Sequence, residues 1–177
     1  LTLLFGLALL SALLFSSAWI ACADTTIGGV LSRNTLLKSA DSPFLAPFDI
    51  IVDNGATLTI EAGVTVRFKT GVRLIVKNGS LRALGVVASP ILLTSWRNTS
   101  GGLPASNDWG GVQFLDNTND AATLLEYVTI SFGAATTLTG ASPTFNNCRF
   151  ENNRVRPGHR PLVFSPWIGK QRPRQRL

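Results

Sequence analysis

Asn54-Gly55-Ala56-Thr57-Leu58-Thr59-Ile60-Glu61-Ala62-Gly63-Val64-Thr65-Val66-Arg67-Phe68 is the stretch whose reading decides the fold. Leu58 and Ile60 alternate with Thr57 and Thr59, and Glu61-Ala62-Gly63 turns the chain. Val64, Val66 and Phe68 then fall on one side, with Thr65 and Arg67 on the other. A period of two marks a strand with one dry and one wet face, because successive Cβ atoms leave a pleated backbone on opposite sides. The Asn and Gly residues that bound these runs accept left-handed backbone at low cost, so they read as corners.

The pattern continues in both directions. Upstream, Phe48-Asp49-Ile50-Ile51-Val52 ends at Asp53-Asn54-Gly55; downstream come Leu74 and Val76, then Leu81 and Leu84, Ile91 and Leu93, and Val112 and Phe114. Leu125, Val128 and Ile130 follow, and Phe145, Cys148 and Phe150 end the series. No window between Phe48 and Asn153 repeats its apolar residues at helical spacing, so helices are not expected there. The strands are too short for an ordinary sandwich, and most turns lack the two-residue link of a hairpin. Stacking solves the problem: about three short strands make one coil, each pairs with the strand a coil away, and inward residues form continuous ladders. The expected fold is all-β, a parallel β-helix over residues 48–153.

The stretch quoted first resembles the first coil of bacterial secreted right-handed β-helix proteins of the pectate-lyase-like superfamily. Leu74-Ile75-Val76-Lys77-Asn78-Gly79-Ser80-Leu81-Arg82-Ala83-Leu84-Gly85 is similar to that family's second coil, and Ile91-Leu92-Leu93-Thr94-Ser95 to its next strand. Asp108-Trp109-Gly110-Gly111-Val112-Gln113-Phe114 and Leu125-Glu126-Tyr127-Val128-Thr129-Ile130 continue the likeness, and Ser142-Pro143-Thr144-Phe145-Asn146-Asn147-Cys148-Arg149-Phe150 closes it. It extends over residues 24–153. The resemblance implies a right-handed solenoid, and it implies little about activity, because one fold hosts many roles.

Three segments flank the pattern. Leu1–Ala23 carries no charge, and its apolar run gives way to Ser16, Ser17, Ala18 and then Ala21-Cys22-Ala23, whose small residues suit a signal peptidase. A signal helix with cleavage directed by Ala21 and Ala23 is the expectation; an uncleaved anchor and a lipoprotein modified at Cys22 are the rivals. Residues 24–47 are expected to cap the first full coil, with Leu36, Leu37, Phe44 and Leu45 over the core. Residues 154–177 hold four prolines amid Arg, Lys and Gln, and are expected to be a disordered tail from a truncation or a shifted reading frame.

Charge separates body from tail. Residues 1–150 hold nine basic and nine acidic groups, whereas residues 151–177 hold seven basic groups against Glu151, which accounts for the net +6. A neutral body has no electrostatic footprint for a phosphate backbone, so a nucleic-acid partner is not expected. Contact with a membrane is expected only through the N-terminal segment. After cleavage Cys148 is the one remaining cysteine, so no intramolecular disulfide forms, and it reads as a small buried hydrophobe.

Carboxylates that converge outside adjacent coils would be the signature of polysaccharide cleavage, as the resemblance implies. The best set is Asp108, Asp116 and Asp120, and Asp116-Asn117-Thr118-Asn119-Asp120 is an oxygen-rich loop in which Asp116, Asn117 and Asp120 are calcium candidates. It lacks the Gly and distal Glu of a calcium loop, and a solvated turn is the competing reading. Trp96, Trp109, Phe114 and Tyr127 are candidates for an aromatic platform on which sugar rings stack, with Trp109 foremost; core packing competes. His159, the only histidine, lies in the tail, and no Ser-His-Asp set or zinc spacing is present, so no catalytic residue is assigned.

The expectation is therefore a non-catalytic extracellular or envelope module that presents a surface to a polysaccharide or a cell-surface protein, with binding candidates Asp108, Trp109, Asp116 and Asp120. The alternative is a polysaccharide lyase or glycoside hydrolase whose catalytic coils are lost or truncated. No cofactor is expected other than calcium.

Overall fold

The computed structural model describes residues 24–154. A strand of two to six residues cannot stand alone, and here each finds its neighbour one coil away. Coil one holds β1 (Thr25–Thr26), β2 (Gly29–Leu31) and β3 (Thr35–Leu37); coil two holds β4 (Phe44–Ala46), β5 (Ile50–Val52) and β6 (Ala56–Ile60). Coil three is β7 (Thr65–Phe68), β8 (Leu74–Val76) and β9 (Gly79–Leu84), and coil four is β10 (Ile91–Ser95), β11 (Val112–Phe114) and β12 (Leu124–Glu126). Coil five comprises β13 (Val128–Ser131), β14 (Thr137–Leu138) and β15 (Thr144–Asn146), and β16 (Arg149–Glu151) opens the next.

The first, second and third strands of successive coils form three sheets, of six, five and five strands. All their pairings are parallel. The result is a right-handed parallel β-helix, the hand that parallel crossovers favour. Where corners are short, side chains that meet across coils are 22 to 24 residues apart, as in Ser39–Glu61, Thr57–Ser80 and Arg73–Asp49. Two single 3-10 turns, Ser39–Asp41 and Asp120–Ala122, are the only helical elements among the described residues. No helix among them is long and apolar enough to cross a membrane.

The alternation read from the sequence lines the interior with ladders from every sheet, and the longest in each runs through most coils. Phe44, Val66, Leu93, Ile130 and Phe150 stack in the first. Leu31, Val52, Val76, Phe114 and Leu138 stack in the second. Leu37, Ile60, Ala83, Leu125 and Phe145 stack in the third. Most are buried, with Leu31, Leu138 and Phe150 partly so at the ends. Phe145 sets its ring edge-on to both Phe114 and Phe150, with centroids 6.0 and 5.9 Å away. Each buried aliphatic or aromatic side chain contributes roughly 1.5–3 kcal/mol.

Coil one corrects the expected boundary, because residues 24–47 are solenoid and not a separate cap. Thr25 and Thr26 pair with Phe44 and Leu45, Val30 with Ile51, and Leu36 with Thr59. Leu37 and Phe44 point into the core, whereas Leu36 faces solvent. The expected signal helix, the expected cleavage residues Ala21 and Ala23, and the basic tail from residue 155 on, with His159, lie outside the described residues.

Ion pairs tie coils together on the outer surface. Asp49 takes the Arg73 guanidinium at 2.6 Å and also accepts the Arg73 backbone N–H at 2.8 Å. Asp53 takes Lys77 at 2.9 Å. The Lys77 ammonium and the Asn54 N–H hold the Asp53 carboxyl below the usual carboxylate range. Between these pairs the outward residues of the second sheet, Val30, Ile51, Ile75, Gln113 and Thr137, stand in one row.

Candidate functional site

The binding and calcium candidates Asp108, Trp109, Asp116, Asn117 and Asp120 fall in coil four, which departs from its neighbours at two corners. Between β10 and β11 the chain makes a long loop, residues 96–111, where coil three uses residues 69–73. Between β11 and β12 it makes a second, residues 115–123, where coil three uses Lys77 and Asn78. The two loops bracket β11 and the outward row of the second sheet.

Asp108 closes the first loop. Its Oδ2 accepts from Ser95 Oγ at 2.8 Å and from the Ala105 N–H at 3.0 Å, and Arg97 Nη1 lies 3.7 Å from Oδ1. Its backbone holds the register on both sides, taking the Gly71 N–H of coil three and donating to Phe132 O of coil five. A carboxylate so engaged fastens loop exit to loop entry.

Trp109 is fully buried. This corrects the platform reading, since the ring has no exposed face to offer a sugar. It stacks on Phe68 of coil three, with centroids 4.2 Å apart and planes within 8°. Its Nε1 donates to Ser131 O of coil five at 2.8 Å, which satisfies the indole's one polar group. One small neighbour makes room, since a Cβ on Gly133 would come within 2.9 Å of the indole. Trp109 thus plugs the corner shared by three coils.

The other platform candidates do not share a face. Phe114 is buried in the second ladder, and Tyr127 is half-buried at a corner with φ 46°. Trp96 lies on the surface at 36% exposure, with Lys69 Nζ 4.3 Å and Arg97 5.7 Å from its ring centre.

In the second loop, Asp116 and Asn117 are exposed and Asp120 is half-buried. Thr118 Oγ1 donates to Val76 O at 3.0 Å, the Asn119 N–H donates to Gly79 O at 2.8 Å, and Asn119 Oδ1 accepts the Ala122 N–H at 3.2 Å. Asp116 rests against Gly140 of coil five, and Asp120 Oδ1 is buried without a hydrogen-bond partner. Among the described residues no three His, Cys, Asp or Glu side chains gather so as to hold a metal ion. Asp108 belongs to the first loop and is occupied there.

Cys148 is buried, its Sγ 3.4 Å from Leu125 O, and burial pushes its thiol up to about 11. Gly133 was not apparent from the sequence, since its smallness acquires meaning only when the stacking register brings it to Trp109; nor was Ser95, whose partner Asp108 lies across the loop.

A Drosophila melanogaster protein, "Protein bark beetle", is 44% identical to this chain over 73 residues, which cover 41% of the chain and 2% of that protein. This chain therefore corresponds to a small fraction of the relative's length. No solved structure matches it. The family model of the pectate-lyase like beta helix domain matches residues 29–143, and the coils, corners and ladders above agree: the chain belongs to that family.

Proposed function

We propose that this chain is a non-catalytic extracellular or envelope module, and that coil four is its recognition surface for a protein or glycan partner. The observation that carries this reading is the pair of loops, residues 96–111 and 115–123, anchored to the same coil on either side of the outward row that ends in Gln113 and Thr137. Loops held by a rigid scaffold are the usual place for recognition, since the scaffold fixes their geometry before binding. Asp108 and Trp109 support the reading indirectly, because they hold the first loop in place.

The test compares the intact chain with one in which residues 97–107 are replaced by a short Gly-containing link. Both are screened by glycan array and on immobilised acidic and neutral polysaccharides. Binding that is lost with the loop, while circular dichroism stays unchanged, supports the module. Chain cleavage of any polysaccharide, with or without calcium, overturns it in favour of the second reading. That reading, a polysaccharide lyase or glycoside hydrolase, draws its support from the family's pectate-lyase-like description.

A further inference from the structure

Two stretches, Asn78-Gly79-Ser80 and Asn98-Thr99-Ser100, have the Asn-x-Ser spacing, with x other than proline, that an N-linked glycan requires. Asn78 is exposed and Asn98 half-buried, but the residues that follow them lie in opposite surroundings. Ser80 is 3% exposed, with its hydroxyl shared with Thr57 at 2.8 Å, and the second loop of coil four closes over the site through the Asn119 N–H to Gly79 O bond. By contrast Thr99 and Ser100 are exposed on the first loop, beyond the end of β10.

We propose that Asn98, and not Asn78, carries an N-linked oligosaccharide; the proposal rests on the extracellular reading above. Asn98 Nδ2 donates one hydrogen to Thr94 Oγ1 at 3.0 Å. A glycosylated amide keeps one N–H, so an amide hydrogen bond to Thr94 is compatible with replacement of the other hydrogen by sugar. The donor is a lipid-pyrophosphate-linked oligosaccharide. A bond forms between Nδ2 and the anomeric carbon, the bond from that carbon to the pyrophosphate oxygen breaks, the lipid pyrophosphate departs, and one amide proton is released. No oxidation or reduction occurs. The sugar then stands on the same loop as Leu103, which is 86% exposed.

The test expresses the full chain behind a cleavable secretion leader in insect cells, and measures intact mass before and after peptide-N-glycosidase F on both cell-retained and secreted protein. One glycan's mass is expected to be lost on digestion. Asn98→Gln and Ser100→Ala are each expected to abolish it, Ser100→Thr to keep it, and Asn78→Gln to leave it unchanged. A chain with no glycan, or a glycan removed by Asn78→Gln and kept by Asn98→Gln, overturns the proposal. Because the added leader forces entry to the secretory route, failure at Asn98 is separate from failure of the extracellular reading. The latter is read from where the chain with its own N-terminal segment accumulates.

Discussion

In coil three the chain passes from β7 to β8 through residues 69–73, whereas in coil four the same corner runs through residues 96–111. The strands on either side keep the same register, Val112 beside Leu74 and Ser95 beside Phe68. A solenoid therefore accepts added chain at a corner provided the loop leaves and returns at nearly the same point. Coil four meets this condition twice over, with Asp108 fastening the loop's ends from outside and Trp109 filling the corner from inside. The difference between the two coils lies in what must be added to make a long corner as firm as a short one.

The comparison is broken most directly at the two tryptophans of the loop. Trp109→Ala removes the ring between Phe68 and Gly133 and is expected to cost about 3–5 kcal/mol in urea unfolding. Trp96→Ala, which loses a surface contact with Lys69 and Arg97, is expected to cost under about 1 kcal/mol. Equal losses would mean that the corner is not held from inside.

Cys148 reports whether a disturbance of the loop reaches the body, since it packs below coil four. Burial raises its thiol in the folded chain from the ordinary 9.0 to about 11. The folded state thus holds the proton more tightly, and the stabilisation is complete below pH 9 and lost as pH rises toward 11. The loss is expected to reach about 2–3 kcal/mol at the top of that window. Unfolding midpoints across pH 8–11 should show it in the parent and in the chain with the shortened loop, but not in Cys148→Ala.

Gly133→Ala sharpens the comparison from the coil-five side. The added Cβ meets the indole, and the expected cost is about 1–3 kcal/mol. In a Trp109→Ala background the cost should shrink, and additive losses would place the two residues in separate environments. The smallest effect is expected from Asp108→Asn, about 1 kcal/mol, because one acceptor remains for Ser95 or Ala105. Faster tryptic cleavage at Arg97, with little change in Cys148 labelling, would show the loop loosening ahead of the body.

The alternation at Leu58, Ile60, Val66, Phe68 and Val76 made the interior legible, because these residues obey a local rule that stacking then repeats. Coil one was harder. Val30-Leu31 and Leu36-Leu37 are pairs of adjacent apolar residues, so the chain itself does not say that Leu31 and Leu37 turn in while Val30 and Leu36 turn out; their parallel partners decide it. Trp109 was harder still. Its neighbours in sequence, Asp108 and Gly110, suggest an exposed turn, and what buries it is Phe68 one coil earlier and Gly133 one coil later. Asp108, Asp116 and Asp120 share a coil, but the first loop takes Asp108 for itself.

The backbone hydrogen bonds of all three sheets run from coil to coil, and this direction sets how the molecule answers force. Tension applied from its first coil toward its last loads these bonds in succession, so turns are expected to peel away one after another from the ends. Load applied across the rod is borne by the continuous covalent backbone that encircles each turn.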